Sequence, residues 1–225
     1  MAGAKASKIR ADLKMIEGDI EGHAFPGADD LHDPEWPADP FHVLMATVLS
    51  HRTKDANTHK AAKQLFGKHS DPYSIAKADP LEIEELVRPS GFYKVKARGL
   101  QSICRELVER FDGQVPGTME ELLTLPMVGR KTANCVLSYG FKKDGLCVDV
   151  HVHRISNRIG WVVTKHPDET EFELKAKVPK ALWCDINSML VRFGQRTCLP
   201  RNPRCVKCPL LGGCEHGSVI VSGKR

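Results

Sequence analysis

Four cysteines toward the C-terminal end of the sequence are spaced like the ligands of one metal centre. They follow the pattern C-x6-C-x2-C-x5-C in a segment interrupted by prolines, at Cys198, Cys205, Cys208 and Cys214. Thiols of intracellular proteins rarely cluster in this way without a metal. A tetrahedral zinc site usually pairs two C-x2-C steps, whereas one such step with longer arms suits a larger 4Fe-4S cubane. The spacing therefore favours an iron–sulfur cluster and leaves zinc as the alternative.

Basic side chains are interleaved with these cysteines. Arg201 and Arg204 lie between the first two, and Lys207 lies inside the C-x2-C step. A metal centre that folds so short a segment would present these cations on a fixed scaffold, where they can contact phosphates. Electron transfer is the alternative role for such a centre, but the sequence offers no redox-partner site to support it. We therefore expect the three cations to bind an anionic polymer.

A short segment between two helical patterns, residues 125–133, reads LPMVGRKTA. Pro126 ends the first helix, Gly129 supplies a turn, and Arg130 opens the next helix. This pattern is typical of a helix-hairpin-helix. Such a hairpin turns backbone amides, here around Val128 and Gly129, and a helix N-terminus outward, where they can hold a phosphate without reading base sequence. An ordinary connection between two helices is the alternative for this segment taken alone.

The elements that must position these residues are helices, so we predict an all-α fold. Apolar residues recur every three or four positions in 41–49 and 100–111, as in amphipathic helices, and Thr118 with Glu121 forms a capping box. The segment 23–40 contains four prolines and reads as a linker. Further helices are predicted over 7–20, 55–67, 80–88, 130–141, 149–160, 168–178 and 179–193.

The composition indicates a globular protein with a basic main body. Of its 225 residues, 41% are hydrophobic, which is enough for a sizeable core. No apolar run approaches the ~18 residues of a membrane span, and no secretory signal is visible, so we expect a cytoplasmic protein that does not contact membranes. Residues 1–40 carry a net charge of −5 and residues 41–225 one of +10. This charge suits an anionic polymer, with a basic surface that only aids solubility as the alternative.

Three motifs together closely resemble those of the endonuclease III family of helix-hairpin-helix DNA glycosylases. They are LPMVGRKTA, the segment VDVHVHR at 148–154 and the four-cysteine loop, in the family's order. The interval of 18 residues from Lys131 to Asp149 is also similar to the family's own. The resemblance spans about residues 30–214 and implies that the metal centre is a 4Fe-4S cluster.

The resemblance also implies a fold of two helical lobes. One lobe, residues 33–143, would be a six-helix barrel that contains the helix-hairpin-helix. The other, residues 1–32 with 144–225, would join the N-terminal helix to the C-terminal helices and carry the cluster loop. A monomer is the expected state of members of this family.

The resemblance assigns the catalytic roles to Lys131 and Asp149. An amine that attacks the sugar carbon C1′ expels the base and leaves an imine, and β-elimination then cuts the strand 3′ to the lesion. The attacking amine must be neutral, and Arg130, a helix N-terminus and partial desolvation would lower the pKa of Lys131. Asp149 precedes a helical pattern that it can cap, and its carboxylate would stabilise the positive charge on the sugar. His151 is expected to bind the sugar-phosphate, with a surface histidine that has no role as the alternative.

Two further segments match the family's loops that enter the duplex. The segment LSHRTKD at 49–55 carries Arg52 where many members have glutamine, and GFY at 91–93 carries Phe92 where leucine is often found. An enzyme that acts on a stacked base must extrude it and fill the gap, and a guanidinium or a phenyl ring can do so. The hairpin departs from the usual Leu-Pro-Gly-Val-Gly at Met127, where a left-handed backbone would be strained by ~1 kcal/mol or more.

The function predicted from these residues is that of a bifunctional DNA glycosylase and abasic-site lyase. Its partner would be double-stranded DNA that contains oxidised pyrimidines or abasic sites, in the nucleoid of a prokaryotic cell. A monofunctional adenine or mismatch thymine glycosylase is the nearest alternative, but such enzymes lack the catalytic lysine, and the adenine enzymes carry a glutamate where this chain has Ala46. A non-catalytic DNA-binding or redox descendant is the second alternative. The presence of both Lys131 and Asp149 disfavours it.

Overall fold

The computed structural model describes residues 2–23 and 39–223, and within these ranges the chain forms twelve α-helices and no β-strand. The all-α prediction is confirmed. A π turn (Val136–Gly140) continues α8, and 3₁₀ turns occupy Lys180–Leu182, Cys205–Lys207 and Leu211–Gly213. The helices are α1 (Ala2–Ile20), α2 (Pro40–Ser50), α3 (Asp55–Phe66), α4 (Pro72–Lys77), α5 (Pro80–Leu86), α6 (Tyr93–Phe111), α7 (Met119–Leu122), α8 (Arg130–Cys135), α9 (Val150–Arg158), α10 (Pro167–Lys177), α11 (Trp183–Arg196) and α12 (Glu215–Ser222).

The described residues divide into two compact units. We call residues 39–145 the hairpin unit, because it contains the LPMVGRKTA segment, and residues 2–23 with 146–223 the cysteine unit, because it contains the four cysteines. The hairpin unit comprises α2 to α8, that is, six helices of at least six residues and the single turn α7. The predicted lobe boundary near residue 32, like most of the proline-rich linker, lies outside the described residues, so the predicted lobe limits stay a prediction.

Helix α2 is the central element of the hairpin unit. Residues 41–49 are all buried, and the helix packs against α3, α6, α8 and the π turn. The sequence predicted an amphipathic helix here, but neighbouring helices cover α2 on every side. Of its two buried polar residues, His42 has a local partner, because its Nδ1 lies 2.8 Å from Asp39 Oδ2, whereas Thr47 Oγ1 has no hydrogen-bond partner within the described residues.

Three helices of the hairpin unit begin with an Asp–Pro pair. Asp39, Asp71 and Asp79 are the N-caps of α2, α4 and α5, and their carboxylates accept hydrogen bonds of 2.9 to 3.0 Å from amides of the first turn. Each proline occupies the first helical position, where no amide donor is needed. Neighbouring residues therefore determine where these helices begin.

The cysteine unit joins the N-terminal helix to the C-terminal helices around one apolar core. Side chains of α1, α9, α10 and α11 form this core, with Ile16 and Phe193 fully buried in it. Two hydrogen bonds fix α1 to distant segments: Trp161 Nε1 donates to Asp12 Oδ2 at 2.8 Å, and Thr197 Oγ1 donates to Asp19 Oδ2 at 2.6 Å. In the described part of the chain, no helix is long and apolar enough to cross a membrane.

Candidate functional site

The hairpin between α7 and α8 turns at Met127. This residue has a φ of +60°, in the left-handed region, whereas Gly129 is extended, with φ −100° and ψ 179°. The prediction that Gly129 supplies the turn is therefore wrong, because Gly129 only precedes α8 in a conformation that any residue adopts. The left-handed backbone at Met127 is strained by ~1 kcal/mol or more. Val128 is buried and its amide donates to Leu125 O at 3.3 Å. This amide therefore makes a hydrogen bond inside the hairpin.

The side chain of Met127 packs on α6 at Gly99. A Cβ atom added to Gly99 would overlap Met127 Sδ, and Gly99 itself is buried. Gly99 thus leaves the space that the thioether occupies. The dispersion contacts made there offset part of the cost of the left-handed backbone.

Lys131 is the second residue of α8 and is exposed, directly after the half-buried Arg130. The hairpin unit therefore does not supply the partial desolvation that was expected for this amine. The next side chain, that of Thr132, is buried, and its Oγ1 lies 3.1 Å from His51 Nε2. Burial and the charges of Lys131 and Lys96 lower the pKa of His51 to about 4. A neutral imidazole therefore lies near Lys131 at pH 7, rather than another cation.

The two loops predicted to enter DNA present Arg52 and Phe92. Both side chains are exposed, and Phe92 is 64% accessible although it is a large apolar residue. Both residues also have left-handed backbones, with φ of +50° and +57°. The loops contact each other, since Gly91 N donates to Thr53 Oγ1 at 3.0 Å.

Asp149 is the N-cap of α9 and is half-buried. Its Oδ1 accepts hydrogen bonds from His151 N at 2.9 Å and Val152 N at 2.8 Å. Within the described residues no hydrogen bond reaches the other oxygen, Oδ2. One carboxylate can therefore cap the helix through Oδ1 and remain free to act on a ligand through Oδ2.

His151 packs within the cysteine unit against Arg154 and α11. Its Nδ1 lies 3.1 Å from Arg154 Nη2, and because a guanidinium only donates, this nitrogen must accept. In the neutral ring the proton is then on Nε2. A Cβ atom added to Gly194 of α11 would overlap the His151 ring, so this close packing requires a glycine.

The four predicted ligand cysteines line one enclosed cavity of the cysteine unit. Burial, together with Cys198, Cys214 and Cys205, raises the pKa of Cys208 to about 11. Two of the sulfurs accept hydrogen bonds, Cys214 Sγ from Gly217 N at 3.3 Å and Cys198 Sγ from Arg158 Nη1 at 3.5 Å.

The cavity is lined by side chains that can ligate or contact a metal centre. Among the described residues, no three His, Cys, Asp or Glu side chains are grouped so that they could hold one metal ion. The Nε2 atom of His216, which also lines the cavity, is buried and has no hydrogen-bond partner within the described residues. Four thiols around one cavity, with donors aimed at the sulfurs, are the donor set of a cubane cluster.

Two arginines of α9 hold the start of the cysteine loop. Arg154 Nη2 donates to Cys198 O at 2.9 Å. Arg158 donates to Leu199 O at 2.7 Å and Pro200 O at 3.0 Å. These hydrogen bonds join α9, which begins after Asp149, to the cysteine loop. The guanidinium groups of Arg154 and Arg158 thus bind carbonyl oxygens of the protein itself.

The three basic residues predicted to face phosphates are all exposed: Arg201, Arg204 and Lys207. Sequence reasoning did not identify His51, Lys96, Arg154 or Arg158. Arg154 and Arg158 lie four residues apart, on one face of a helix, and this spacing could have indicated that they contact the same segment.

Comparison with known proteins gives consistent matches. Residues 45–180 match the HhH-GPD superfamily of base excision DNA repair proteins. Endonuclease III of Thermotoga maritima is 54% identical over 177 residues, which cover 79% of this chain and 83% of that protein.

Solved structures are similar over nearly the whole chain. A trapped endonuclease III–DNA covalent intermediate, an estranged-adenine complex, has a TM-score of 0.84 at 33% identity and covers 96% of this chain and 98% of its own. A thermostable thymine-DNA glycosylase has a TM-score of 0.81 at 25% identity and covers 97% of this chain and 99% of its own.

Proposed function

This chain belongs to the HhH-GPD superfamily of base excision DNA repair proteins and, within it, to the endonuclease III family, and on that basis we propose how its residues act on damaged DNA. It is a DNA glycosylase and abasic-site lyase of base excision repair. Its substrate in our proposal is duplex DNA that contains an oxidised pyrimidine, and its site of action is the bacterial nucleoid. The observation that carries the proposal is that Lys131 is an exposed residue directly after the hairpin, in a chain similar to a protein trapped covalently on DNA.

In this proposal Lys131 is the nucleophile. Its neutral amine attacks C1′, the glycosidic bond breaks, and the base leaves with the bonding electrons and a proton. The C1′–O4′ bond of the sugar then breaks, the ring oxygen takes up a proton, and an iminium ion is left at C1′. This ion acidifies the C2′ hydrogen, and loss of that proton expels the 3′ phosphate. Because Lys131 is exposed in the hairpin unit, bound DNA has to supply the desolvation that favours its neutral form. The neutral His51 nearby adds no positive charge that would compete with the developing cation.

Asp149 supplies the negative charge. While its Oδ1 caps α9, its Oδ2 is left to act on the substrate, where it can take up a proton that the reaction releases and stabilise the cationic sugar. The cap holds the carboxylate in one orientation before substrate binds. A single residue thereby combines a structural bond and a catalytic charge.

The remaining contacts position the DNA. The hairpin around Gly129 and Arg130, together with the exposed cations Arg201, Arg204 and Lys207, would bind backbone phosphates. His151 Nε2 is a donor suited to a sugar-phosphate oxygen. Arg52 and Phe92 would enter the space left by the extruded nucleotide.

A 4Fe-4S cluster fits the cysteine cavity, with Cys198, Cys205, Cys208 and Cys214 as its ligands. When bound it would cross-link the loop that carries the three cations. The residues of the chain that act beside it are Arg158 and Gly217, which donate to two of the sulfurs.

Borohydride trapping on a panel of duplexes tests the proposal. The panel contains an oxidised pyrimidine, an abasic site, a G·T mismatch and undamaged DNA. We expect a covalent complex and strand cleavage on the first two, and no complex for Lys131→Gln, which keeps a similar side-chain length and should still bind the lesion duplex. Thymine release from the mismatch without trapping would favour the monofunctional alternative. A trapped complex of Lys131→Gln would show that another amine is the nucleophile.

A further inference from the structure

The residues at the tips of the two exposed loops have backbone conformations that cost energy. Arg52 and Phe92 both have a left-handed backbone without being glycine, a conformation that is strained for residues with a side chain. Strained conformations persist only when the surroundings determine them. Something in the hairpin unit must therefore hold both loops in place.

Lys96 of α6 is buried directly beneath the two loops, with 2% of its surface accessible. Its Nζ lies 2.6 Å from Leu49 O, 2.6 Å from His51 O, 2.7 Å from Thr53 Oγ1 and 2.8 Å from Ser90 Oγ. Three of these oxygens belong to the segment that carries Arg52, and the fourth belongs to the segment that carries Phe92. One ammonium group thus binds both loops.

The two main-chain oxygens lie at the C-terminal end of α2, which ends at Ser50. Carbonyls there have no partner within the helix and carry the negative end of its dipole, so a cation is the favoured cap. Although burial lowers the pKa of Lys96 to about 8, the amine is still mostly charged at pH 7. Its three protons are all used by the surrounding oxygens.

Neutral hydrogen bonds complete the connection. Ser90 Oγ donates to Leu49 O at 3.0 Å, and Thr53 Oγ1 accepts from Gly91 N at 3.0 Å. A Cβ atom added to Gly91 would lie 2.9 Å from Arg52 O, so the loops meet in direct backbone contact. The two loops are therefore in contact with each other as well as with Lys96.

We propose that Lys96 is a positioning residue that fixes the Arg52 loop and the Phe92 loop to each other, so that both side chains enter an opened duplex as one rigid element. This inference rests on the proposed function, because it presumes that the two loops act on DNA. It assigns Lys96 to the extrusion of the damaged nucleotide and not to the bond-breaking step. Lys96 does not touch the reacting atoms in this role.

The test compares a substrate that needs extrusion with one that does not. Lys96→Met keeps the length of the apolar stem and removes the ammonium group, and Lys94→Met removes the same charge from an exposed position of the same helix. Single-turnover rates are measured on a duplex with a paired oxidised pyrimidine and on a single strand with an abasic site. Because only the duplex requires a base pair to be opened, we expect Lys96→Met to slow the duplex reaction ~10-fold or more and the single-strand reaction less than ~3-fold.

A fluorescent reporter gives a second readout that a purely structural role would not change selectively. With 2-aminopurine opposite the lesion, binding of the wild type should raise fluorescence as the base pair opens. Lys96→Met at saturating protein should give little rise, and Lys94→Met should behave as the wild type. If Lys96→Met does not fold, Thr53→Val takes its place, because it removes one partner of Lys96 and the partner of Gly91 N.

Equal slowing on both substrates by a folded variant, or no slowing at all, would overturn the inference and leave the proposed function intact. Absence of imine trapping by the wild-type protein on either substrate would instead overturn the proposed function, and the inference with it. A larger loss for Lys94→Met than for Lys96→Met would show that surface charge, and not the buried connection, matters.

Discussion

The hairpin unit and the cysteine unit hold their functional segments by different means. In the hairpin unit five residues other than glycine have a left-handed backbone, among them Arg52, Phe92 and Met127, whereas in the described part of the cysteine unit only Asn202 does. The hairpin unit imposes these conformations through short loops between buried helices. The cysteine unit holds its irregular loop by cross-links, namely arginine hydrogen bonds and four thiols that converge on one cavity.

The difference shows what each kind of segment needs. A loop of four to seven residues between packed helices, such as those that carry Arg52, Phe92 and Met127, can be forced into a strained shape, because both of its ends are fixed by the core. A longer segment with only single 3₁₀ turns has no such fixed ends and loses its shape when the cross-links are removed. Strain in the first case and cross-links in the second are alternative ways to pre-organise the residues that we propose to face DNA.

The largest expected effect is that of breaking the cross-links. We expect Cys208→Ser to lose the metal centre, because one of its four ligands is removed. The cysteine loop should then unfold, since metal binding in small metal sites contributes ~10 kcal/mol or more to folding. Hydrogen exchange followed by mass spectrometry should show protection lost in 198–214 and α12 but kept in α2. Cys184→Ser is the control, because this cysteine lies in the same unit but does not line the cavity.

The identity of the centre can be measured on the same preparations. The wild type should contain about four irons per chain and absorb broadly near ~400 nm. Stoichiometric zinc without labile sulfide would contradict the cluster, and unchanged protection in Cys208→Ser would contradict the role assigned to the cross-links.

The next effect separates the cap from the charge at Asp149. Asp149→Asn keeps a good N-cap but removes the negative charge, so we expect single-turnover cleavage to slow by ~10²-fold or more while the melting temperature changes little. Thermal unfolding and quenched-flow kinetics on one preparation would measure both. If the variant melts early while its folded fraction cleaves at the wild-type rate, Asp149 is only a cap.

A smaller effect concerns the strained hairpin. Gly99→Ala places a methyl group where the Met127 side chain lies, and such overpacking costs ~1–3 kcal/mol of unfolding free energy. In a Met127→Gly background the same substitution should cost much less, because the space is then empty. Urea unfolding of the four proteins gives the coupling energy between the two sites. Additive losses would mean that Met127 does not depend on the space at Gly99.

The smallest effect is that of a single surface cation. Arg204→Ala should reduce the slope of log affinity for an abasic duplex against log salt by about one unit, because one phosphate contact is lost. Arg88→Ala is a suitable control, because Arg88 is exposed in the other unit and already paired with Glu85 at 3.1 Å. Equal slopes for Arg204→Ala and the wild type would show that the cysteine loop does not contact DNA.

The sequence predicts best those features that depend on neighbouring residues. The predicted helix over 55–67 ends one residue earlier in α3, and the four-cysteine spacing corresponds to one cavity. The short helices α4 and α12 were missed, because six and eight residues give too little periodicity to stand out. The sequence predicted strain at Met127 only if its backbone were left-handed. Whether it is left-handed could not be predicted, since a backbone angle is set by packing as well as by residue type.

Features that depend on distant contacts could not be predicted. The predicted helix 130–141 is α8 only to Cys135 and then a π turn, and Gly145 packs so closely on this region that a Cβ there would overlap Asn134 O. Lys96 lies before the helical pattern predicted at 100–111, in the part of α6 that the sequence did not indicate, and nothing in α6 reveals that the end of α2 lies beside it. The hydrogen bonds from Arg154 and Arg158 to the cysteine loop likewise join residues about 40 positions apart.

The arrangement of α1 has a consequence for biosynthesis. The hairpin unit is one continuous stretch, 39–145, whereas α1 of the cysteine unit bonds to Trp161 and Thr197, which lie 149 and 178 residues from their partners. A ribosome makes the chain from its N-terminus, so the hairpin unit can fold while α1 still lacks its partners. During this interval the apolar face of α1, with Ile9, Leu13 and Ile16, is without its core. The nascent chain therefore exposes an apolar helix face until α11 and Thr197 have been synthesised. The four cysteines follow this point in the chain, so a metal centre would be inserted only later.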